Sequence, residues 1–348
     1  MIDDRGPVVH QALLIHRLIE LRRGNGLTQE KVARSLEWSH AKLMRYEGGT
    51  QVLPKADLDA LLDLYRVLGT AQGRKLQEIG RKARDKPWWY PHRHALSVEE
   101  RYYVGLEMGA ARIRQCAPAL VPGLLRTRDY AHALCSMTDP DGEVDRLVEV
   151  LMGRQGMMLT RSPVPEQVYV LDEAALRRVV GGREKPGVMV RQLHHLVERS
   201  ASVQLRIVPE EAGLHFGALG GFTLFDFDDG LPPVLHTEHR GRVVASKKEE
   251  DTRAYDAAFD RLVEEHALDA RRSLALIEHH ARRLQDRTNA AASGGRAEAH
   301  ANSVETSAGV GAGEDPGAPA GDLLAVSEPR PPPPPPFSTG PGTEVGSE

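Results

Sequence analysis

The residues whose types and spacing point most directly to contact with another molecule lie in one string, from Leu27 to Glu47. Thr28 and Ser39 are hydroxyl residues of the kind that accept the backbone N–H groups orphaned in a first helical turn. After Thr28, the apolar Val32, Ala33 and Leu36 recur at helical spacing, and after Ser39 so do Leu43 and Tyr46. The string predicts two short helices joined by a turn of a few residues, a helix-turn-helix, with Ala33 small where the second helix crosses closely. In that geometry the first helix lies across the DNA backbone, and the second offers its N-terminal half to base edges in the major groove. Its outward side chains would be His40, Ala41, Lys42 and Arg45. Arginine is the best bidentate partner for guanine, alanine suits a thymine methyl, and a lysine can meet phosphate or base.

Catalytic chemistry finds less support. The histidines to consider are those in close pairs, His92 and His94, His194 and His195, His236 with Glu238 and His239, and His279 and His280. Adjacent residues on a helix point about 100° apart, and the His-Glu-x-x-His spacing of a zinc protease is absent. Asp172-Glu173 reads as a helix start before it reads as a general acid. The sequence contains no Gly-x-Ser-x-Gly, P-loop or dinucleotide fingerprint. Cys116 and Cys135 are the only cysteines, so neither a CxxC redox pair nor a Cys-rich zinc site is available. The expectation is a chain with no catalytic residues, no metal and no cofactor. Trp88-Trp89-Tyr90 reads as packing between domains rather than as a ligand cage.

The elements that would position the string fit its surroundings. Residues 1–84 hold 15 Lys+Arg against 10 Asp+Glu, a net charge of +5, which leaves −9 for the remainder of a chain whose total is −4. Such asymmetry hints at a nucleic-acid module joined to something else. At 348 residues, with 41% hydrophobic and 27% charged residues, the chain has material for more than one ordinary core. No segment approaches the ~20 apolar residues that span a bilayer. The start at Met1-Ile2-Asp3-Asp4 is acidic where a secretion signal is basic. With few cysteines, this predicts a cytoplasmic protein with no membrane partner.

Three regions follow. Residues 8–84 read as helix after short helix, and 85–286 mix helices with apolar, β-branched runs. Residues 287–348 are rich in Ala, Gly, Ser and Pro, end in Pro331 to Pro336, and carry too few bulky side chains to offset ordering entropy. In the middle region, helices are expected at 110–114, 128–135, 143–159, 172–180, 187–200, 249–266 and 268–284. Strands are expected at 167–171, 203–208, 222–227 and 233–237. The predicted fold class is multidomain. An all-α helix-turn-helix bundle (8–84) is followed by an α+β regulatory domain (85–286) and a disordered tail (287–348).

On these residues the N-terminal region resembles the phage-repressor-like, XRE-type helix-turn-helix domain. The likeness rests on Gly26-Leu27-Thr28-Gln29-Glu30, Ala33, Ser39, Lys42, Arg45 and Glu47-Gly48, with Leu14, Leu18 and Leu21 upstream and Leu58, Leu61, Leu62 and Tyr65 downstream. The resemblance implies a lambda-repressor-like bundle. It places Gln29 at a phosphate and against the recognition helix, His40, Ala41 and Arg45 at bases, and Lys55 at a phosphate. Ser39 and Lys42 complete the DNA-contacting set, and Arg22 with Glu47 form a structural ion pair. Glu37 departs from the pattern, standing where the family has a left-handed glycine, at a cost of roughly 1 kcal/mol.

Residues 86–284 resemble the domain that follows the helix-turn-helix in WhiJ-like, Scr-type actinobacterial regulators, whose arrangement is toxin–antitoxin-like. The matching strings include Trp88-Trp89, Glu107 with Ala110, residues 121–127 with Tyr130-Ala131, Arg154-Gln155, and residues 171–178. Gly181-Gly182, Gln192-Leu193, residues 222–227, Glu238, Ala267-Leu268 and Ser273 complete them. The expected function is a regulator that binds double-stranded DNA as a homodimer, its second domain sensing a ligand or a small protein partner encoded nearby. Two alternatives remain at this level. One is an antitoxin-like module that chiefly binds a small protein and regulates its own synthesis, for which a small adjacent reading frame would speak. The other is an enzyme with a DNA-targeting head, for which a bound substrate would speak.

Overall fold

Five helices open the chain: α1 (Gly6–Gly24), α2 (Gln29–Ser35), α3 (His40–Glu47), α4 (Lys55–Leu64) and α5 (Ala71–Ala83). In the computed structural model, residues 5–138, 143–182, 185–228, 230–239 and 242–307 are described. The helices are short because each is bounded by a cap. Thr28, Ser39 and Thr70 accept the N–H of Lys31, Lys42 and Gly73 respectively. Their apolar faces meet in one core built on Val9, Leu14, Leu18, Val32, Leu43, Leu58, Leu61, Leu62 and Leu76. Burial of such a shared stripe, rather than intrinsic propensity, stabilises helices this short.

The second region is a six-stranded mixed sheet with helices on its faces. Its elements are α6 (Val98–Gly109), β1 (Arg112–Ala117), α7 (Arg128–Thr138), α8 (Val144–Thr160), β2 (Glu166–Asp172), α9 (Glu173–Arg177), α10 (Gly187–Arg199) and β3 (Gln204–Val208). These are followed by β4 (Phe222–Asp226), β5 (Val234–His239), β6 (Arg242–Ser246), α11 (Glu249–Arg261) and α12 (Ala270–Ser307). The strand order is β3-β2-β1-β4-β5-β6, parallel from β1 to β3 and antiparallel from β1 through β4 to β6. Alternation divides the side chains. Ile113, Tyr169, Leu171, Leu205, Ile207, Phe225 and Val234 face a core shared with α6–α8, α10 and α12. Cys116, Val168, Val170, Phe222, Leu224 and Leu235 face Phe259 and Leu262 on the other side. The observed architecture is thus a helical N-terminal region followed by an α+β domain.

The two regions meet along α1 and α6. Gly105 and Gly109, one turn apart on α6, lie so close to α1 that an added Cβ would come within 2.3 Å of Val8 and 2.2 Å of Val9. Trp88 and Val8 both flank the small core of Trp89, Leu96, Val104 and Val150, so the tryptophan pair sits at this junction.

Buried polar side chains fix the loop at 121–127. Gln192 donates to Leu125 O at 2.7 Å and accepts from Thr127 N at 2.7 Å. Gln155 donates to Gly123 O at 2.9 Å and Arg126 O at 2.8 Å, and Tyr130 OH accepts from Val121 N at 3.2 Å.

Two expectations need correction, and one strand was missed. Residues 110–114 are the end of α6 and the start of β1, not a helix: Arg114 disguises this central strand, and its charge is met by Asp226 at 3.0 Å and by Asp256. The helix expected at 172–180 stops at Arg177, because Gly181 and Gly182 take up left-handed backbone after a short loop. β6 was not foreseen. α12 continues past residue 287 to Ser307. Residues 308–348, including Pro331 to Pro336, lie outside the described residues.

Candidate nucleic-acid interface

α3 carries the residues that would read bases, and its orientation follows from what it buries. Leu43 and Tyr46 turn into the bundle core, and Val32 and Ala33 of α2 pack there too. The opposite side of α3 leaves His40, Ala41, Met44 and Arg45 exposed. The Ser39 cap at 3.2 Å fixes where the helix begins, and hence which residues project from its first turn. Glu37, in the turn before it, takes φ +54°, the left-handed backbone that favours glycine.

The C-terminal end of α3 is tied to α1 and α2. Arg22 grips Glu47 with two hydrogen bonds, Nε at 2.7 Å and Nη2 at 2.9 Å, and its Nη1 donates to Leu27 O at 3.0 Å. The Gln29 amide donates to the same carboxylate at 2.7 Å. Both side chains of the ion pair are about nine-tenths buried, at 11% and 9% exposure. The Glu47 carboxylate, acting first by hydrogen bonding against burial, raises the pKa of Arg22 above its usual value. An excess of good donors on one carboxylate fixes α3 relative to both preceding helices.

Lys42 sits differently from the other residues expected to contact DNA. Its ammonium lies 2.9 Å from Asp57 of α4 and 4.1 Å above the Trp38 ring. Tyr46 donates to the same Asp57 at 2.6 Å, and burial, with that carboxylate beside it, pushes the phenol up to about 12. Lys42 therefore braces α3 against α4 in the free protein. Arg45 donates to Gln51 at 3.3 Å from an exposed position, His40 lies 3.8 Å from Glu30, and Lys55 is exposed at the first position of α4. The roles of Trp38, Asp57 and exposed Met44 were not read from the sequence. Met44 breaks the polar character of the outer face, which was the available signal.

Two histidines are each held by one acid. His280 is held by Glu173 at 2.8 Å and His215 by Asp172 at 3.0 Å, each a two-residue contact. Among the described residues no group of three His, Cys, Asp or Glu side chains converges. The side chains of Glu238 and His239 lie outside the described ones. No described helix is long and apolar enough to cross a membrane.

Comparison with known families finds two matched segments. A helix-turn-helix domain family matches residues 14–75, and a domain of unknown function, DUF5753, matches residues 101–279. Neither a curated protein nor a solved structure matches the chain. The DUF5753 match takes in more than half of the chain, from α6 into α12, and so the chain belongs to the DUF5753 family, its shared domain preceded by a helix-turn-helix.

Proposed function

We propose that the chain is a sequence-specific transcription regulator of the XRE type that binds double-stranded DNA as a homodimer. The observation that carries this reading is the exposed strip His40, Ala41, Met44 and Arg45 on a helix whose other side is buried and whose end is clamped by Glu47. Arg45 and His40 read bases, and Ala41 contacts a thymine methyl. Ser39, Lys55 and Gln29 meet the backbone, and Lys42 exchanges Asp57 for a phosphate. Pairing of two heads multiplies the modest affinity of one small module.

In this reading the head spans 8–84, and the domain at 85–286 senses a ligand or a small protein partner. α6 is the shared element, since Gly105 and Gly109 meet α1 while Tyr103 and Glu107 face the second domain's interior. An occupant alters DNA affinity only through unequal affinity for the two arrangements of α1 on α6, with a usual coupling of about 1–3 kcal/mol. The reading includes no catalytic step.

Selection of sites from random duplexes by the full chain at low salt tests it. The expected result is an enriched inverted repeat with half-sites about one helical turn or its multiples apart. Affinity should fall steeply as salt rises, because phosphate contacts release counterions. A folded protein that enriches nothing contradicts the proposal, and an enriched single half-site removes the dimer from it.

A further inference from the structure

One rung of the sheet is polar where its neighbours are apolar. Gln115 on β1 lies in register with Thr223 on β4, and Thr223 with His236 on β5. All three belong to the face that elsewhere presents Ile113, Phe225 and Val234 to the core. Thr223 and His236 are buried. They floor a cleft of about 260 Å³ whose walls are Tyr103 and Val104 of α6, the loop at 123–126, and Arg154 of α8. The loop wall is rigid, pinned by Gln155 and Gln192 as described above.

One buried polar atom in this cleft has no hydrogen-bond partner among the described residues, and two further polar groups line it. The Nε2 of His236 is buried and unpartnered. The half-buried Gln115 amide and Arg154 line the same cleft, and Arg154 spends Nε and Nη2 on Glu107, at 2.8 and 2.7 Å. A buried imidazole nitrogen without a partner is costly, which marks this cleft as a place where an occupant would gain a hydrogen bond. Tyr103 stands edge-on to His236 at 4.5 Å and brings its hydroxyl to 3.4 Å from Thr223, which keeps the imidazole in place.

We propose that this cleft binds a small monoanionic organic carboxylate, with Arg154 Nη1 and the Gln115 amide donating to its oxygens and His236 Nε2 meeting a further polar group. The identity of the charge follows from the balance around it. Glu107 already neutralises most of Arg154, and burial holds the His236 imidazole down to about 4, hence neutral near pH 7. Arg126 on the same wall, its Nε donating to Val121 O at 2.7 Å, and the Glu100 carboxylate, accepting from the Ser97 N–H at 2.8 Å, bring one charge of each sign that offset one another. So weak a field suits one negative charge rather than the two of a phosphate ester, and Leu96 and Val104 suit an apolar body behind it. The inference deepens the sensing role proposed above and rests on that reading only for its consequence at the DNA.

The test uses the full chain and benzoate, with inorganic phosphate as the alternative anion, at constant ionic strength. The His236 imidazole signal, assigned by its loss in His236→Phe, is followed by NMR. The expected result is a saturable shift with benzoate, and weakening of about fivefold in Gln115→Leu and in Thr223→Val, roughly the weight of one hydrogen bond. Arg154 is left intact because its removal strands Glu107. A linear, unsaturated shift, a shift unchanged in Gln115→Leu and Thr223→Val, or saturation by phosphate alone overturns the proposal. DNA binding by the same samples separates the two readings: selected-site affinity that persists without benzoate binding refutes the cleft alone, and benzoate binding without any DNA affinity refutes the regulator reading alone.

Discussion

The head and the sheet domain both hold polar residues in place, but by opposite means. In the head, the side chains proposed to meet DNA are exposed and the buried polar network lies behind them, in Arg22, Gln29 and Glu47. In the sheet domain the polar groups of interest, Gln115, Thr223 and His236, lie in the floor of a cleft, while the surface around them is ordinary. An exposed strip suits a large, charged, groove-bearing partner that arrives from outside. A recessed rung suits a small one that is enclosed. The two regions share one structural part, α6 against α1, so a change in the cleft has a short route to the head.

That contrast makes predictions of graded size. The largest effect is expected where the head's support is cut. Glu47→Ala leaves Arg22 buried without its carboxylate, and stability in urea unfolding should fall by about 3 kcal/mol. Loss of DNA affinity should follow, because α3 is no longer fixed. Next comes the joint between the regions. Gly109→Ala places a Cβ 2.2 Å from Val9 and 2.6 Å from the Arg5 carbonyl, which must shift. A cost of about 2 kcal/mol is expected, with faster amide exchange in α1 and α6 if the two regions loosen there.

The cleft supplies a pH dependence. The folded pKa of His236 is pushed by burial down to about 4, below an unfolded value near 6.5. The unfolded chain therefore binds the proton first, and stability drops as pH falls from about 6.5 towards 4, with a slope approaching ~1.4 kcal/mol per pH unit. His236→Phe should flatten that slope while leaving unfolding near pH 7.5 close to wild type. An unchanged slope would show that the imidazole is better solvated than its position implies. The smallest effect expected is a gain: Glu37→Gly relieves a left-handed residue at φ +54° and should stabilise the head by about 1 kcal/mol.

The same contrast explains what could be read from the sequence. The head was legible because its determinants are local. Thr28 and Ser39 cap helices that start at the next residue, and Val32, Ala33, Leu43 and Tyr46 lie within one short string. Even the left-handed turn at Glu37 was visible as a departure from a glycine. What escaped were the partners supplied by other helices, such as Asp57, which holds Lys42 from α4. The sheet domain was legible in its helices and apolar strands and illegible at its centre. β1 reads as charged because Arg112 and Arg114 lie in it, and the acids that satisfy Arg114, Asp226 and Asp256, stand 112 and 142 residues further along the chain. The polar rung is likewise invisible, since no periodicity links Gln115 to Thr223 and His236 until the strands pair. Glu107, Arg154, Gln155 and Gln192 could be matched as a pattern, but only the fold shows that they brace one loop and one wall of a cleft.

The central claim, that the exposed strip of α3 reads DNA sequence, is tested most directly by binding of the full chain and its Arg45→Ala variant to a selected site and to all single-base-pair variants of that site. The account predicts that Arg45→Ala loses about 1–3 kcal/mol at the selected site and stops discriminating at one base pair per half-site, with discrimination elsewhere intact. A loss of equal size on every duplex, or no loss at all in a folded variant, would contradict it.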